Sequence, residues 1–187
     1  AGTARLEVGT AWADGSATTV RYSGTYTDPV VILGIPTKHD TIRRDDAEEM
    51  VLRILNTSLG SSGVSGGSFA VYADAGATCA DTDNGESEKF NWLVISSGRT
   101  HGTVEAGTLV TAADPNDGLS WIPVAFAQPV ANPVVISTIQ SHAGVDWVKT
   151  RHQEITGTGF EVQLEEDDLY TYHVQEKIGW IALPAGR

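Results

Sequence analysis

The chain has 187 residues, 24 acidic against 12 basic, for a net charge of −12 at pH 7. So acidic a balance argues against nucleic acid and anionic membranes as partners, because both need clustered Lys and Arg. No apolar run approaches the roughly 20 residues that span a bilayer, so membrane insertion is not expected either. With 41% apolar and 19% charged residues the chain has the means to bury a core. Cys79 is the single cysteine, which excludes an intrachain disulfide and any multi-cysteine zinc site. A cysteine-poor, acidic chain rich in Gly, Thr and Ser is expected to be secreted or displayed on a cell surface.

In chain order, Glu7-Val8-Gly9-Thr10 comes first, followed by the strand-like Thr18-Thr19-Val20-Arg21-Tyr22. Asp28-Pro29 then opens the β-branched run Val30-Val31-Ile32-Leu33, as expected of a buried strand. Asp45 to Leu55 has a helix-like spacing of apolar residues, but its end, Val51-Leu52-Arg53-Ile54-Leu55, reads as a charged loop entering a strand. Gly60-Ser61-Ser62-Gly63 marks a turn. Gly67-Ser68-Phe69-Ala70-Val71 and Phe90-Asn91-Trp92-Leu93-Val94 are two further strands.

The same landmarks return in the same order. Glu105-Ala106-Gly107-Thr108, Asn132-Pro133-Val134-Val135-Ile136, Thr158-Gly159-Phe160-Glu161-Val162 and Ile178-Gly179-Trp180-Ile181-Ala182 follow at offsets of 98, 104, 91 and 88 residues. Between them Trp121, Val124 and Phe126 interleave with smaller or polar residues, and Phe160 to Glu165 alternates strictly. The expected architecture is all-β: two tandem small antiparallel β-sandwiches of about six strands each, over residues 1–98 and 102–187, joined by Arg99-Thr100-His101. Trp92 and Trp180 occupy the repeated last strand between apolar neighbours and are expected in the two cores.

From Val124-Ala125-Phe126 through Asn132-Pro133-Val134-Val135-Ile136 and Thr158-Gly159-Phe160 to Ile178-Gly179-Trp180-Ile181-Ala182, the second half resembles the H-type lectin domain, the module of snail agglutinins and of the discoidin C-terminus. The first half resembles it more loosely, through Asp28 to Ile35 and Phe69 to Val94. The resemblance implies a six-stranded sandwich, a trimeric homo-oligomer, and a sugar held at a subunit edge by a loop Asp, a strand Arg and residues before the last strand. The strand Arg falls on Arg151, and the family's Trp-x-Asp-Thr segment falls on Asp168 to His173. There Asp168 stands for the Trp and Tyr170 for the Asp, so the fold carries over further than the sugar specificity.

Sugar recognition needs an aromatic face for the C–H side of a ring and planar polar groups for its hydroxyls. Asp167, Tyr170, Tyr172 and His173 supply both, with Trp147 in a Gly/Asp-containing loop and Arg151 nearby. The plainer alternative makes the tyrosines outer-face strand residues and Trp147 a plug at the end of the sandwich. Asp81 and Asp83 lie in an Asp-x-Asp-x-Gly stretch that suits Ca2+, although the later ligands of a calcium loop are missing and a solvated acidic hairpin explains the same residues. The motifs of serine hydrolases, phosphate loops and zinc proteases are not found. The expectation is a lectin-like, carbohydrate-binding module that takes a glycan or polysaccharide, needs no cofactor and is not an enzyme. The alternative is an assembly module whose edges make trimer or filament contacts without sugar.

Overall fold

The computed structural model describes residues 6–37, 51–55, 64–65, 67–74, 87–100, 103–111, 121–144, 148–166 and 173–186. Every regular element among them is a β-strand, so the fold is all-β. The first half contributes β1 (Leu6–Ala13), β2 (Thr18–Arg21), β3 (Pro29–Leu33), β4 (Val51–Ile54), β5 (Val64–Ser65), β6 (Ser68–Asp74) and β7 (Glu88–Ser96). A short β8 (Gly98–Thr100) follows, and the second half contributes β9 (Val104–Val110), β10 (Ile122–Ala125), β11 (Pro133–Ile139), β12 (Val148–Thr156), β13 (Gly159–Glu166) and β14 (Lys177–Pro184).

Each half is a pair of antiparallel sheets. In the first, β1-β7-β3 faces β2-β6-β4 across a core of Val31, Ile54, Phe69, Val71, Phe90 and Trp92. In the second, β9-β14-β11 faces β10-β13-β12 across Phe126, Phe160, Val162, Leu164, Ile178 and Trp180. The strand order is the same in both halves. Arg99 and Thr100, expected in a plain join, instead belong to β8, which pairs with β9 and extends the second half's first sheet. The inward row of β10 is Ile122, Val124 and then Phe126, while Trp121 precedes the strand and is half-buried. The parity of the apolar residues, not their size, sets which ones face in.

Ladder registers tie the halves together residue by residue. Trp92 pairs with Gly9 on one side and Leu33 on the other; Trp180 pairs with Gly107 and Ser137. Both indoles are buried and lie over the glycine opposite. A Cβ on Gly9 would stand 2.4 Å from the Trp92 ring, and one on Gly107 would stand 2.7 Å from that of Trp180. Glu7 and Glu105 also do the same work. The amides of Ser23 and Gly24 donate to Glu7 at 3.0 and 3.2 Å, and the amide of Ala127 donates to Glu105 at 2.6 Å. Burial pushes the Glu7 carboxyl up, but its hydrogen bonds from Ser23, Gly24 and Tyr26 together hold it below the ordinary carboxylate value.

The two halves pack through the outer faces of their first sheets. Val30, Ile32 and Ile95 from β3 and β7 meet Ala106 and Ile181 from β9 and β14, with Leu93, Val104 and Leu183 packed around them. At this contact β3 is an edge strand, and side chains from β11 or just beyond it satisfy its free amides. Gln140 Oε1 accepts from Val31 N at 3.1 Å and Thr138 Oγ1 accepts from Leu33 N at 3.2 Å, while Gln140 Nε2 donates to Pro29 O at 3.3 Å. Gln140 reaches β3 only because it crosses Gly179, where a Cβ would overlap its side-chain amide.

Trp180→Ala should destabilise the protein by about 3–5 kcal/mol, as a buried large-to-small change. Gly107→Ala should cost about 1–3 kcal/mol by forcing the indole to move. Denaturant titration of the double variant should give less than the sum, since the ring that collides with the new methyl is gone.

Candidate functional site

The outer face of the β12–β13 hairpin is a row of charged and amide side chains. Lys149 opposes Glu165, Arg151 opposes Gln163 and Gln153 opposes Glu161 in the ladder. Arg151 Nη1 donates to Glu165 Oε2 at 2.9 Å, and Lys149 Nζ stands 3.5 Å from the same oxygen. Gln153 Nε2 donates to Glu161 Oε2 at 2.7 Å. These groups are exposed and screened, so they contribute little to stability. They are free to exchange partners with solvent.

Thr150 and His152, alternating with Arg151, turn inward toward β11. Ser137 Oγ donates to Thr150 Oγ1 at 2.7 Å and lies 2.8 Å from His152 Nε2. The imidazole meets the Phe160 ring edge-on, with 5.4 Å between centroids. Its desolvation lowers the His152 pKa below the ordinary histidine value, so the ring is neutral at pH 7. Among the described residues no carboxylate is hydrogen-bonded to it.

Two of the trio, Ser137 and Thr150, line a cleft of about 400 Å³ between the halves, and His152 adjoins it only through its contact with Ser137. Leu33, Ile35, Val51 and Leu52 form its wall on the first half; Ser137, Thr138, Ile139, Val148, Lys149 and Thr150 form the other. Arg53 and Ser141 also line it, and both belong to a buried polar cluster. At the centre of that cluster is Glu176, which accepts hydrogen bonds from the Ser141 hydroxyl, from Ala143 N at 2.9 Å and from Gly144 N at 3.2 Å. Arg53 Nη2 donates to Gly144 O at 2.9 Å and lies 3.9 Å from Glu176 Oε1. The cluster therefore locks β4 of the first half to the second.

His173, expected on a solvated strand beside the ligand, is 1% exposed and lies inside this cluster. Its Nδ1 donates to Val174 O at 2.7 Å, and its Nε2 stands 3.8 Å from Glu176 Oε1 without a hydrogen bond. The ring packs on Gly144, where a Cβ would be 2.5 Å from Nε2. Buried there, it cannot line an open sugar site. Arg151 does face solvent, on the outer row. Trp147, Asp167, Tyr170, Tyr172, Asp81, Asp83 and Cys79 lie outside the described residues. Trp147 and Asp167 are the sequence neighbours of Val148 and Glu166, which pair at one end of the β12–β13 ladder.

No protein-family model, curated protein or solved structure matches the chain. Among the described residues no group of three or more His, Cys, Asp or Glu side chains is arranged to hold a metal ion. No described helix is long and apolar enough to cross a membrane.

Arg53 and Glu176 went unnoticed in the sequence, although the repeat points to the first of them. Arg53 opposes Tyr72 as Arg151 opposes Gln163, which puts the two arginines at the same ladder position of their halves.

His152 makes the pH dependence testable. Its folded pKa is below that of the unfolded chain, so the unfolded state binds the extra proton first as pH falls. Stability should therefore drop as pH falls through the ordinary histidine value near 6.5, down to the lowered pKa. His152→Ile should remove that part of the pH dependence in urea titrations, and a proton-NMR titration of the ring should give a midpoint below the ordinary value.

Proposed function

We propose that the chain is a non-catalytic glycan-binding module of a secreted or surface protein, built from two divergent copies of one sandwich, with its ligand site on the second copy. One comparison carries this reading. By ladder position, Leu33 corresponds to Ser137, Leu52 to Thr150 and Ile54 to His152. The first half fills these places with apolar side chains packed on its core, whereas the second half fills them with two hydroxyls and an imidazole. Replacing packed apolar residues by polar ones loses burial energy. Two of the three positions, Ser137 and Thr150, line the cleft, and such a concession beside a cleft supports a binding site there.

The hydroxyl-lined cleft and the outer row meet at Lys149, which lines the cleft and shares Glu165 with Arg151. A sugar at this edge finds a guanidinium, an ammonium and a carboxylate for its hydroxyls, beside the apolar wall of Val51, Leu52 and Ile139. The resemblance to H-type lectins supports the same edge, and in this reading Trp147, Tyr170 and Tyr172 supply the stacking faces. Calcium at Asp81 and Asp83 is the accompanying proposal, tested by running each measurement with calcium and with a chelator.

A glycan array should return a ligand whose affinity per site is roughly millimolar to micromolar, as expected of a shallow polar site. Arg151→Ala should weaken it about tenfold or more, through loss of charged hydrogen bonds worth about 1.5–3 kcal/mol. The triple variant Ser137→Leu, Thr150→Leu, His152→Ile, which installs the first half's residues, should abolish binding while raising the melting temperature. Full binding by both folded variants would sink the site, and an array without any hit would leave the assembly reading.

A further inference from the structure

The contact between the halves is made by unlike flanks. The first half offers its β3 flank, where Val30 is 0% and Ile32 is 9% exposed, and the second half offers β9 and β14, where Ala106 is 3% and Ile181 1% exposed, with Thr138 at the end of β11 bonded to β3. Each half carries both flanks, so the β1 flank of the first half and the Val134–Ile136 stretch of β11 in the second, short of the Thr138 and Gln140 that bond β3, are left open. The open stretch of β11 in the second half holds Val134 and Ile136, at the ladder positions of Val30 and Ile32, and they are 47% and 41% exposed. The unused β1 flank of the first half holds Leu6 and Val8, at the positions of Val104 and Ala106, and these are 41% and 63% exposed. The same pairs of positions are therefore buried against each other once within the chain and left open once.

The open pair is not scattered over the surface. Val8 and Ile136 are the rims of a single groove of about 550 Å³, whose floor is Ile32, Leu33 and Leu93. Ile32 and Leu93 belong to the apolar layer between the halves, so the groove continues that layer to the surface. In addition, β1 ends its sheet with an unpaired edge among the described residues, in the order β1-β7-β3. An apolar groove continuous with a buried interface, with rims that reproduce the two sides of that interface, fits another sandwich of the same kind.

We propose that this groove is an interface with a second copy of the chain, in which the β11 flank of one copy covers the β1 flank of the other. The inference rests on the two-copy reading of the fold and not on the glycan, so a failed array leaves it standing. Arranged about a two-fold axis, each groove offers Val8 to the other chain's Ile136, and both open flanks are covered at once.

Sedimentation equilibrium of the full chain decides the matter. The wild-type protein should self-associate at micromolar concentrations, whereas Val8→Glu and Ile136→Glu should each sediment as a monomer with unchanged circular dichroism. An equimolar mixture of the two variants should recover a complex, because the mixed pair keeps one intact Val8–Ile136 contact. Should either Glu variant misfold, Val8→Thr and Ile136→Thr replace them and should weaken association in the same way. A wild-type chain that stays monomeric at a hundred micromolar overturns the proposal. So does dissociation caused by one variant alone, persistence of the assembly in both, or a mixture that remains monomeric.

Discussion

The edge of β3 is the constraint on which the rest of the molecule depends. A strand at the end of a sheet presents amides that need acceptors, and burying them unpaired costs about 1–3 kcal/mol each. Here the strand is buried, with Val30 and Val31 fully enclosed, yet no further strand pairs with it among the described residues. Gln140 and Thr138 accept from it instead, across the junction between the halves. The solution depends on two sequence details: an amide long enough to reach, and Gly179 flat enough to let it pass. With those bonds made, the apolar layer of Val30, Ile32, Ile95, Ala106 and Ile181 closes behind them. The relation of the two sandwiches is thereby fixed by directional hydrogen bonds as well as by non-directional burial.

Much of this was legible in the sequence, because the features concerned are local or repeat in register. Alternation in Phe160 to Glu165 gives β13 its two faces, and Asp28-Pro29 and Asn132-Pro133 mark the entries to β3 and β11, where Asp28 and Asn132 both take positive φ. Trp92 and Trp180 were recognisable as core because an aromatic flanked by apolar residues in a short strand has nowhere else to go. The facing glycines were legible as a motif, Val8-Gly9-Thr10 and Ala106-Gly107-Thr108, although the reason for them, an indole lying on the backbone opposite, appears only once the ladder register is known.

What stayed hidden depends on which half meets which. Glu176 and Arg53 are far apart in sequence and look like ordinary surface charges until the halves dock. In the docked molecule the carboxylate collects two backbone amides and a hydroxyl, and the guanidinium finds a carbonyl. His173 misled for the same reason: Thr-Tyr-His after two aspartates has the composition of a solvated strand, and nothing local says that its ring packs on Gly144. Periodicity reports on faces of a sheet, and it is silent about a polar side chain inserted at the seam between two domains.

The differences between the halves at matching ladder positions follow their unequal situations. At one ladder position, Arg53 is buried against the second half while Arg151 remains in solvent beside Glu165. An arginine at the seam is constrained, because removing it would leave the enclosed Glu176 short of compensating charge, whereas Arg151 carries no such duty. The neighbouring positions differ in the opposite sense. Leu33, Leu52 and Ile54 keep the first core apolar, and Ser137, Thr150 and His152 give up that burial in the second. Ser137 is bonded to both Thr150 and His152, so hydrogen bonds offset part of the lost apolar contact. The half that uses its arginine to hold the molecule together has an apolar core edge, and the half whose arginine lies in solvent has polar groups at that edge. A division of labour between a half that holds the seam and a half whose edge bears no such load is the simplest physical account of that asymmetry.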